Sequence, residues 1–576
     1  MGESTGGGEG KPGGGKPSKG KRRGGGLLRI AVVIGVIAVV LAGAVVVLGP
    51  TLAASVVSGT ISGSYSDSIR GNARADRVST PWFGPIVVEG LVVEDGAGER
   101  VASGDVTAGI GLLGVIAGSV DYGEIRISGE ADVRADEGGT TNLERALEPV
   151  DPEAPASDGP LIAPGTRATV VLEPSDARYS DPGLREMTGG RVGSVLISGA
   201  TGTVRIEPGA PITIDLDAPL RTVRPGDDAE DAGTPSGSSS GRLAADLEAD
   251  VPTGATRIGE ITLSGTVSLA GLPTALVDAI AGAGGTIGGV LGEDVGVEIA
   301  TDGLSSAGGT LAIDASSPQA DLRYRGEVRA DDGGASSLVA TEDTVLRVSG
   351  IADRFGTQAA GIVPLFASVR KNAGEHEPAE LRLTRFEIPL GADADPLRAI
   401  IEGVIDPGMA SYELTRPLAA LMRVAGGENG SGMLGGRLGQ TNLSMADGVL
   451  RYADLTVPIG EYSFTSEAAF DLLNGTEDIT VRVPAGAIAD DIAGGLGGAF
   501  ERIAEDRMVP IYRRGPLGEN NPFEPDFASV LEDAVGPGGI LEDRIRKGIE
   551  DLIPPDVRKG LPNLPGLLPG GGGDGG

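Results

Sequence analysis

Apolar and polar residues alternate at period two through much of the chain beyond residue 85. Ile86-Val87-Val88-Glu89-Gly90-Leu91-Val92-Val93 predicts a strand, closed by the turn residues Glu94-Asp95-Gly96. After Tyr122 the pattern sharpens: Ile125, Ile127, Gly129, Ala131, Val133 and Ala135 alternate with Glu124, Arg126, Ser128, Glu130, Asp132 and Arg134. Successive side chains of a strand point to opposite faces, so this one has an apolar and a wet side. The alternation returns with Ile212, Ile214 and Leu216, with Leu263, Val267 and Leu269, with Leu322, Tyr324 and Val328, and with Tyr462, Phe464, Ala468 and Phe470. The phrase apolar-polar-Gly recurs within these runs, at Ile127-Ser128-Gly129, Ile197-Ser198-Gly199, Leu263-Ser264-Gly265, Tyr324-Arg325-Gly326 and Val348-Ser349-Gly350. Glycine inside a strand marks a bend, a bulge or a close approach to the sheet.

Period-3.6 patterns are fewer. Thr141 or Asn142 is placed to cap a short helix over the following Leu143–Leu147. Leu272, Leu276, Ile280, Ile287 and Leu291 form a glycine-loosened stripe. Ile488, Ile492, Leu496, Phe500 and Ile503 form another; Phe527, Val530 and Leu531, then Leu541, Ile545, Ile549 and Leu552, predict two more amphipathic helices. These are expected to cap the ends of the sheet, or else to lie on a membrane or a partner.

One stretch has no periodicity. Ile30 to Leu48, with Val40 at its middle, is apolar throughout and carries no charge. As a helix it would be about 28 Å long, close to the ~30 Å hydrocarbon thickness of a bilayer. Lys11, Lys16, Lys19, Lys21, Arg22, Arg23 and Arg29 precede it, so the positive-inside rule places the N-terminus in the cytoplasm and the rest of the chain outside. The rival reading is a cleaved signal peptide, but the run is long for one and Leu52-Ala53-Ala54 lacks the first small residue of a cleavage site. Either way the remainder is exported.

The expected organisation is a disordered basic tail (1–26), a transmembrane helix (27–49), an N-terminal β module (50–150), a β-rich region (151–485), a C-terminal segment with amphipathic helices (486–556) and a Pro/Gly-rich tail (557–576). Linkers are expected near 150–160, 225–241 and 425–437. The fold class is mostly β with short helices, its strands having one apolar face.

Composition narrows the chemistry. The net charge is −34 and the first 29 residues are basic, so the exported part is more acidic than the whole and repels nucleic acid. Aromatics make up 3% of residues, too few for stacking platforms under bases or sugars. There is no cysteine, hence no disulfide, and one histidine, His376, flanked by Glu375 and Glu377. Neither a Ser-His-Asp nor a Cys-His constellation can be assembled without it, and no zinc site can be built from it alone. There is no phosphate-binding Gly-Lys-Ser/Thr loop, and Asp227-Asp228-Ala229-Glu230-Asp231 lacks the ligand alternation of a calcium loop. No enzyme and no cofactor is expected. Trp82, the single tryptophan, is expected to fill the core or anchor an interface.

Two stretches carry a family resemblance. WFGPIVVEGLVVED (82–95), followed by GLLGVIAGSVDYGEIRISGEADVRADEGGTTNLERALEP (111–149), resembles the N-terminal module of AsmA-like proteins, with Asp136, Gly138, Gly139, Asn142 and Leu143 in the places of its acidic-Gly-x-x-Asn-Leu turn. Val509-Pro510, Gly515-Pro516-Leu517, Pro522 and Pro525-Asp526 are similar to that family's closing segment. The resemblance implies one long, bent antiparallel sheet, open like a gutter with an apolar inner face and anchored by one pass in the inner membrane of a two-membrane bacterium. The bulk of the chain would lie in the periplasm, handling phospholipid or supporting outer-membrane assembly, with an envelope protein as a possible partner. The lining of such a groove would include Ile125, Ile127, Val133, Ile212, Ile214, Leu216, Leu263, Val267, Leu322, Val328, Phe464 and Phe470. The alternative is an anchored β-rich scaffold whose apolar faces are filled by the protein itself.

Overall fold

The computed structural model describes residues 70–136, 140–148, 160–182, 185, 192–223, 240–256, 258–274, 277, 286–330, 335–351, 366–371, 377–390, 394–415, 433–459, 462–484, 508–517 and 521–526. Their dominant feature is one long curved sheet of 23 strands.

Strands β1 (Asn72–Arg74) and β2 (Arg77–Ser79) pair with the two halves of β3 (Ile86–Glu94) and share one place at the edge of the sheet. Next come β4 (Arg100–Ala108), helix α1 (Leu112–Ile116), β5 (Asp121–Arg134) and helix α2 (Asn142–Leu147). The middle is formed by β6 (Arg167–Ser180), β7 (Ser194–Ile206), β8 (Ile212–Val223), β9 (Ser240–Asp250) and β10 (Thr262–Pro273), then helix α3 (Thr286–Leu291), β11 (Asp294–Leu304), β12 (Gly308–Ser316) and β13 (Ala320–Ala330). β14 (Ser336–Ala340) and β15 (Thr344–Val348) again share one place, side by side with β13. β16 (Phe366–Arg370) leaves the sheet and β17 (Ala379–Leu390) rejoins it, followed by β18 (Ile400–Asp406). β19 (Met409–Leu414) and β20 (Leu434–Arg437) join β16 in a separate three-stranded sheet. β21 (Thr441–Ala446), β22 (Val449–Ile459), β23 (Tyr462–Asp471), β24 (Thr476–Pro484), β25 (Met508–Pro516) and the short β26 (Glu524–Pro525) complete the long sheet.

Neighbours in sequence are neighbours in space, and the pairs are antiparallel with one exception. β5 and β6 are parallel, from Asp121 beside Arg167 to Arg134 beside Ser180. The sheet is therefore mixed rather than antiparallel throughout. β5 and β6 both start at the rim holding Ile86, and α2 follows β5 at the opposite rim. Thr141 caps α2: its hydroxyl accepts the Glu144 amide at 3.0 Å, and the Glu144 carboxylate accepts the Thr141 amide at 2.7 Å. Asn142 is not the cap but a brace, fully buried, accepting from Arg134 N at 2.9 Å and donating to Asp132 O at 2.8 Å.

At about 4.8 Å per strand the long sheet extends on the order of 100 Å along its curve. Its two rims differ. At the rim holding Ile86 the connections are mostly tight, such as 305–307, 447–448 and 472–475. The rim holding Glu94 has tight connections too, such as 95–99 and 317–319, but it carries the long ones: 181–193, 224–239, 274–293, 349–378, 407–440 and 485–507. Two of those long connections supply the separate sheet.

Several expectations need correction. Leu434–Arg437, expected within a linker, is β20, and the linker expected to end at 241 stops short of β9, which begins at Ser240. Leu272, the first residue of the glycine-loosened stripe, stands in strand β10; within that stripe α3 covers Thr286–Leu291. Met508–Pro516, between the helices expected over 488–503 and 527–552, is a strand of the long sheet. Trp82 does not fill the core, because 57% of its surface is exposed. Among the described residues no helix is long and apolar enough to cross a membrane. The run containing Ile30, Val40 and Leu48 lies outside the described residues, as do the helices expected over 488–503 and 527–552 and the histidine, His376.

Candidate functional site: the apolar face of the long sheet

Residues directly opposite on paired strands share a face, so register can be followed across the sheet. Ile86, Ala108, Ile125, Val170, Val204, Ile214 and Leu247 are successive cross-strand neighbours from β3 to β9. A second row runs Val88, Val106, Ile127, Leu172, Gly202, Leu216, Ala245, Val267, Ile299, Ile313, Tyr324, from β3 to β13. Ile212 and Leu263 both face Ala249, and Leu322 faces Ala315. The same side continues through Leu338, Ile388, Ile401, Met445, Leu450 and Phe470 to Val481 and Ile511. All twelve expected lining residues therefore stand on one continuous face.

The opposite face is a lattice of charge. Arg126 pairs with Glu124 at 2.6 Å, Arg242 with Asp217 at 2.6 Å, Arg325 with Asp314 at 2.6 Å and Arg514 with Asp478 at 2.9 Å. Such exposed pairs add little stability, ~0–1 kcal/mol each. Their consequence is directional, since they keep that side in water.

Register survives the strand glycines because they absorb irregularities. Gly199 adopts φ +62° inside a register shift between β7 and β8, and its amide is held by the Asp176 carboxylate at 2.8 Å. Gly104 and Gly129 face one another on the apolar side, each so close to the other strand's backbone that a Cβ would collide with it.

Cover is uneven along the face. Over β22–β25 the separate sheet lies across it: Tyr412, Val457, Phe464, Ile479, Val481 and Val483 are completely buried in one core. Phe464 and Phe470 belong to that dry core and do not line an open groove. Val133 packs beneath α2, against Leu143 and Ala146. Near the Glu94 rim of β10 and β11, α3 covers the face with Ile287, Val290 and Leu291. Between these covers, Ile127, Ile212, Ile214, Leu263, Val267 and Leu322 are half-buried, whereas Ile125, Leu216 and Val328 are buried.

The half-buried stretch also includes Val297 and Ile299 on β11 and Leu311 and Ile313 on β12, which are not among the twelve expected lining residues. Their signal was present, because each alternates with Glu298, Asp302, Thr310 or Asp314. Two polar atoms lie among them without a hydrogen-bond partner, Thr301 Oγ1 and the Tyr324 hydroxyl. Burial pushes the Tyr324 phenol up to about 12, so it stays protonated as a donor. The Tyr324 ring meets Phe386 edge-on at 5.7 Å.

A cleft at the Glu94 rim holds Glu377, Glu380, Arg382, Asp406 and Arg437, but Arg437 is paired with Glu377 at 2.6 Å and with Asp406 at 3.1 Å, and Arg382 with Glu380 at 2.6 Å. Beside it Lys371 is buried, donating to the Pro407 and Met409 carbonyls at 3.0 and 2.7 Å, and burial lowers its pKa against the opposing pull of Asp406 and Glu377. It ties the separate sheet to the turn before β19. Among the described residues no cluster of metal-ligating side chains occurs. No family model matches the chain, and neither a curated protein nor a solved structure matches it.

Proposed function

We propose that this chain is an AsmA-like, single-pass protein of an inner membrane whose periplasmic sheet binds phospholipid along its apolar face and moves it within the envelope. The observation that carries this reading is the set of half-buried residues on that face from β5 to β13, among them Ile127, Ile214, Leu263, Val267, Ile299 and Leu322, which stand between buried neighbours such as Leu172 and Leu216 and are backed by a lattice of charge. A soluble protein has no use for so long a row of partly uncovered Ile, Val and Leu unless something apolar lies on it. An acyl chain of ~16 carbons gains on the order of 10 kcal/mol on leaving water, at ~0.8 kcal/mol per methylene, and needs no polar contact to stay. Movement along such a face requires no catalytic residue. The charged back keeps the lipid on one side.

The alternative, an envelope scaffold that binds a partner protein and no lipid, draws on the filled core over β22–β25, where the protein's own strands take the place of a guest. Mass spectrometry of phospholipid extracted from the purified full chain separates the two. Lipid held by the membrane anchor is subtracted with the double variant Val267→Asp/Ile299→Asp. The conduit reading expects near-stoichiometric phospholipid that drops in the variant at unchanged strand content. Equal lipid in both proteins supports the scaffold.

A further inference from the structure

The exposed large apolar side chains include a cluster at one corner. Trp82 and Phe83 are 57% and 90% exposed, and Leu113 and Ile116 of α1 are 40% and 57% exposed. The two segments are stapled together at the Ile86 rim of β3 to β5. Leu112 N donates to Pro81 O at 3.1 Å, Leu113 N to Trp82 O at 3.3 Å and Ile86 N to Ile110 O at 3.2 Å. Gly111 permits the contact, since a Cβ there would lie 2.9 Å from the carbonyls of Trp82 and Gly84. The corner is thus held in shape by backbone, and its oily side chains face outward from a fixed platform.

Its charge is as unusual as its exposure. Residues 80–88 and 106–120 contain no Asp, Glu, Lys or Arg, in a chain whose net charge is −34. A bilayer surface repels an acidic protein where its own headgroups are anionic, and uncharged aromatic and aliphatic side chains settle at the headgroup level. Reach is no obstacle: residues 49–71 separate Leu48 from β1, and an extended chain of that length spans up to ~80 Å. Directly behind the corner stand Ile86, Val88, Ile110 and Ile125, all buried, where the apolar face of the sheet begins.

We propose that the Trp82-Phe83 loop and α1 dock into the outer surface of the membrane that anchors the chain, so that the apolar face opens at the lipid. This rests on the anchored, lipid-handling reading above. The chain carries one tryptophan, so its intrinsic fluorescence reports on this corner alone. The test uses the full chain reconstituted in phosphatidylcholine vesicles containing phosphatidylcholine brominated high on the acyl chain. Docking predicts blue-shifted Trp82 emission, strong quenching by the brominated lipid and little by aqueous iodide. The double variant Phe83→Asp/Ile116→Asp should lose the lipid quenching several-fold at unchanged strand content and unchanged flotation. A chain that floats with the vesicles while Trp82 is quenched by iodide and untouched by bromine overturns the docking alone. A chain that does not float overturns the docking and the anchored reading together.

Discussion

The hydroxyl of Tyr324 lies over Gly326, in the space that a Cβ at position 326 would take. Both residues belong to the apolar side of β13, and the glycine is what lets the ring lie flat along the strand. The arrangement leaves the hydroxyl buried without a partner. An unmet buried hydroxyl costs about 1–3 kcal/mol. Tyr324→Phe should therefore leave stability unchanged or raise it by up to that amount. Gly326→Ala pushes a methyl into the ring and to 2.6 Å from Val339 O, so it should lower stability by ~1–3 kcal/mol. The midpoint of urea unfolding measures both, and a destabilised Tyr324→Phe would show that the hydroxyl has a partner.

The two parts of the apolar face should respond differently to truncation. Phe464 has no exposed surface and packs under the separate sheet, so Phe464→Ala should cost about 3–5 kcal/mol. Ile299 is half-buried and its loss leaves a dent open to its surroundings rather than a sealed cavity, so Ile299→Ala should cost less than ~2 kcal/mol. The two shifts are compared in one series of urea midpoints. Equal costs would mean that the middle of the face is as tightly filled as its end.

Acid should weaken the N-terminal module through Asp95. Burial alone would raise its pKa, but the Glu99 and Ala97 amides, each at 2.9 Å, and the Arg145 guanidinium at 3.1 Å outweigh it and hold the carboxyl below its ordinary 3.8. A lowered carboxylate pKa means that its stabilisation is full above that ordinary value. It is lost as pH falls through the lowered one. Asp95→Asn should flatten this acid limb, visible as a smaller loss of thermal midpoint between neutral and strongly acidic pH. Thr141→Ala, which removes the cap of the helix carrying Arg145, should cost ~1 kcal/mol with no change in pH dependence.

The strands were largely legible because their alternation is strong: β5, β8, β10, β13 and β23 each stand close to where apolar parity placed them. Gly129, Gly199 and Gly265 were legible as irregularities, and Gly265 sits at φ +128° where β10 shifts register against β11. What lies on a face was not legible. Val267 and Phe464 show the same alternation, yet one is half-buried and the other sealed, because the difference is made by β16, β19 and β20, which are remote in sequence. β20 itself reads as a linker since Gly435 and Gly436 hide it; a Cβ on Gly436 would stand 3.2 Å from the Tyr412 hydroxyl, so close packing explains the small residue. The parallel pairing of β5 and β6 had no signal in either strand, because alternation fixes a strand's two faces and not its direction.

Site-specific photo-crosslinking locates phospholipid on the sheet residue by residue. A benzophenone amino acid is placed in turn at Ile299 on the half-buried face, at Glu298 on the charged face and at Phe464 in the sealed core, and each full-length protein is irradiated in its membrane. A phospholipid adduct is expected at position 299 and none at 298 or 464. A folded protein that yields no lipid adduct at 299, or equal adducts at 299 and 298, contradicts lipid binding along the apolar face.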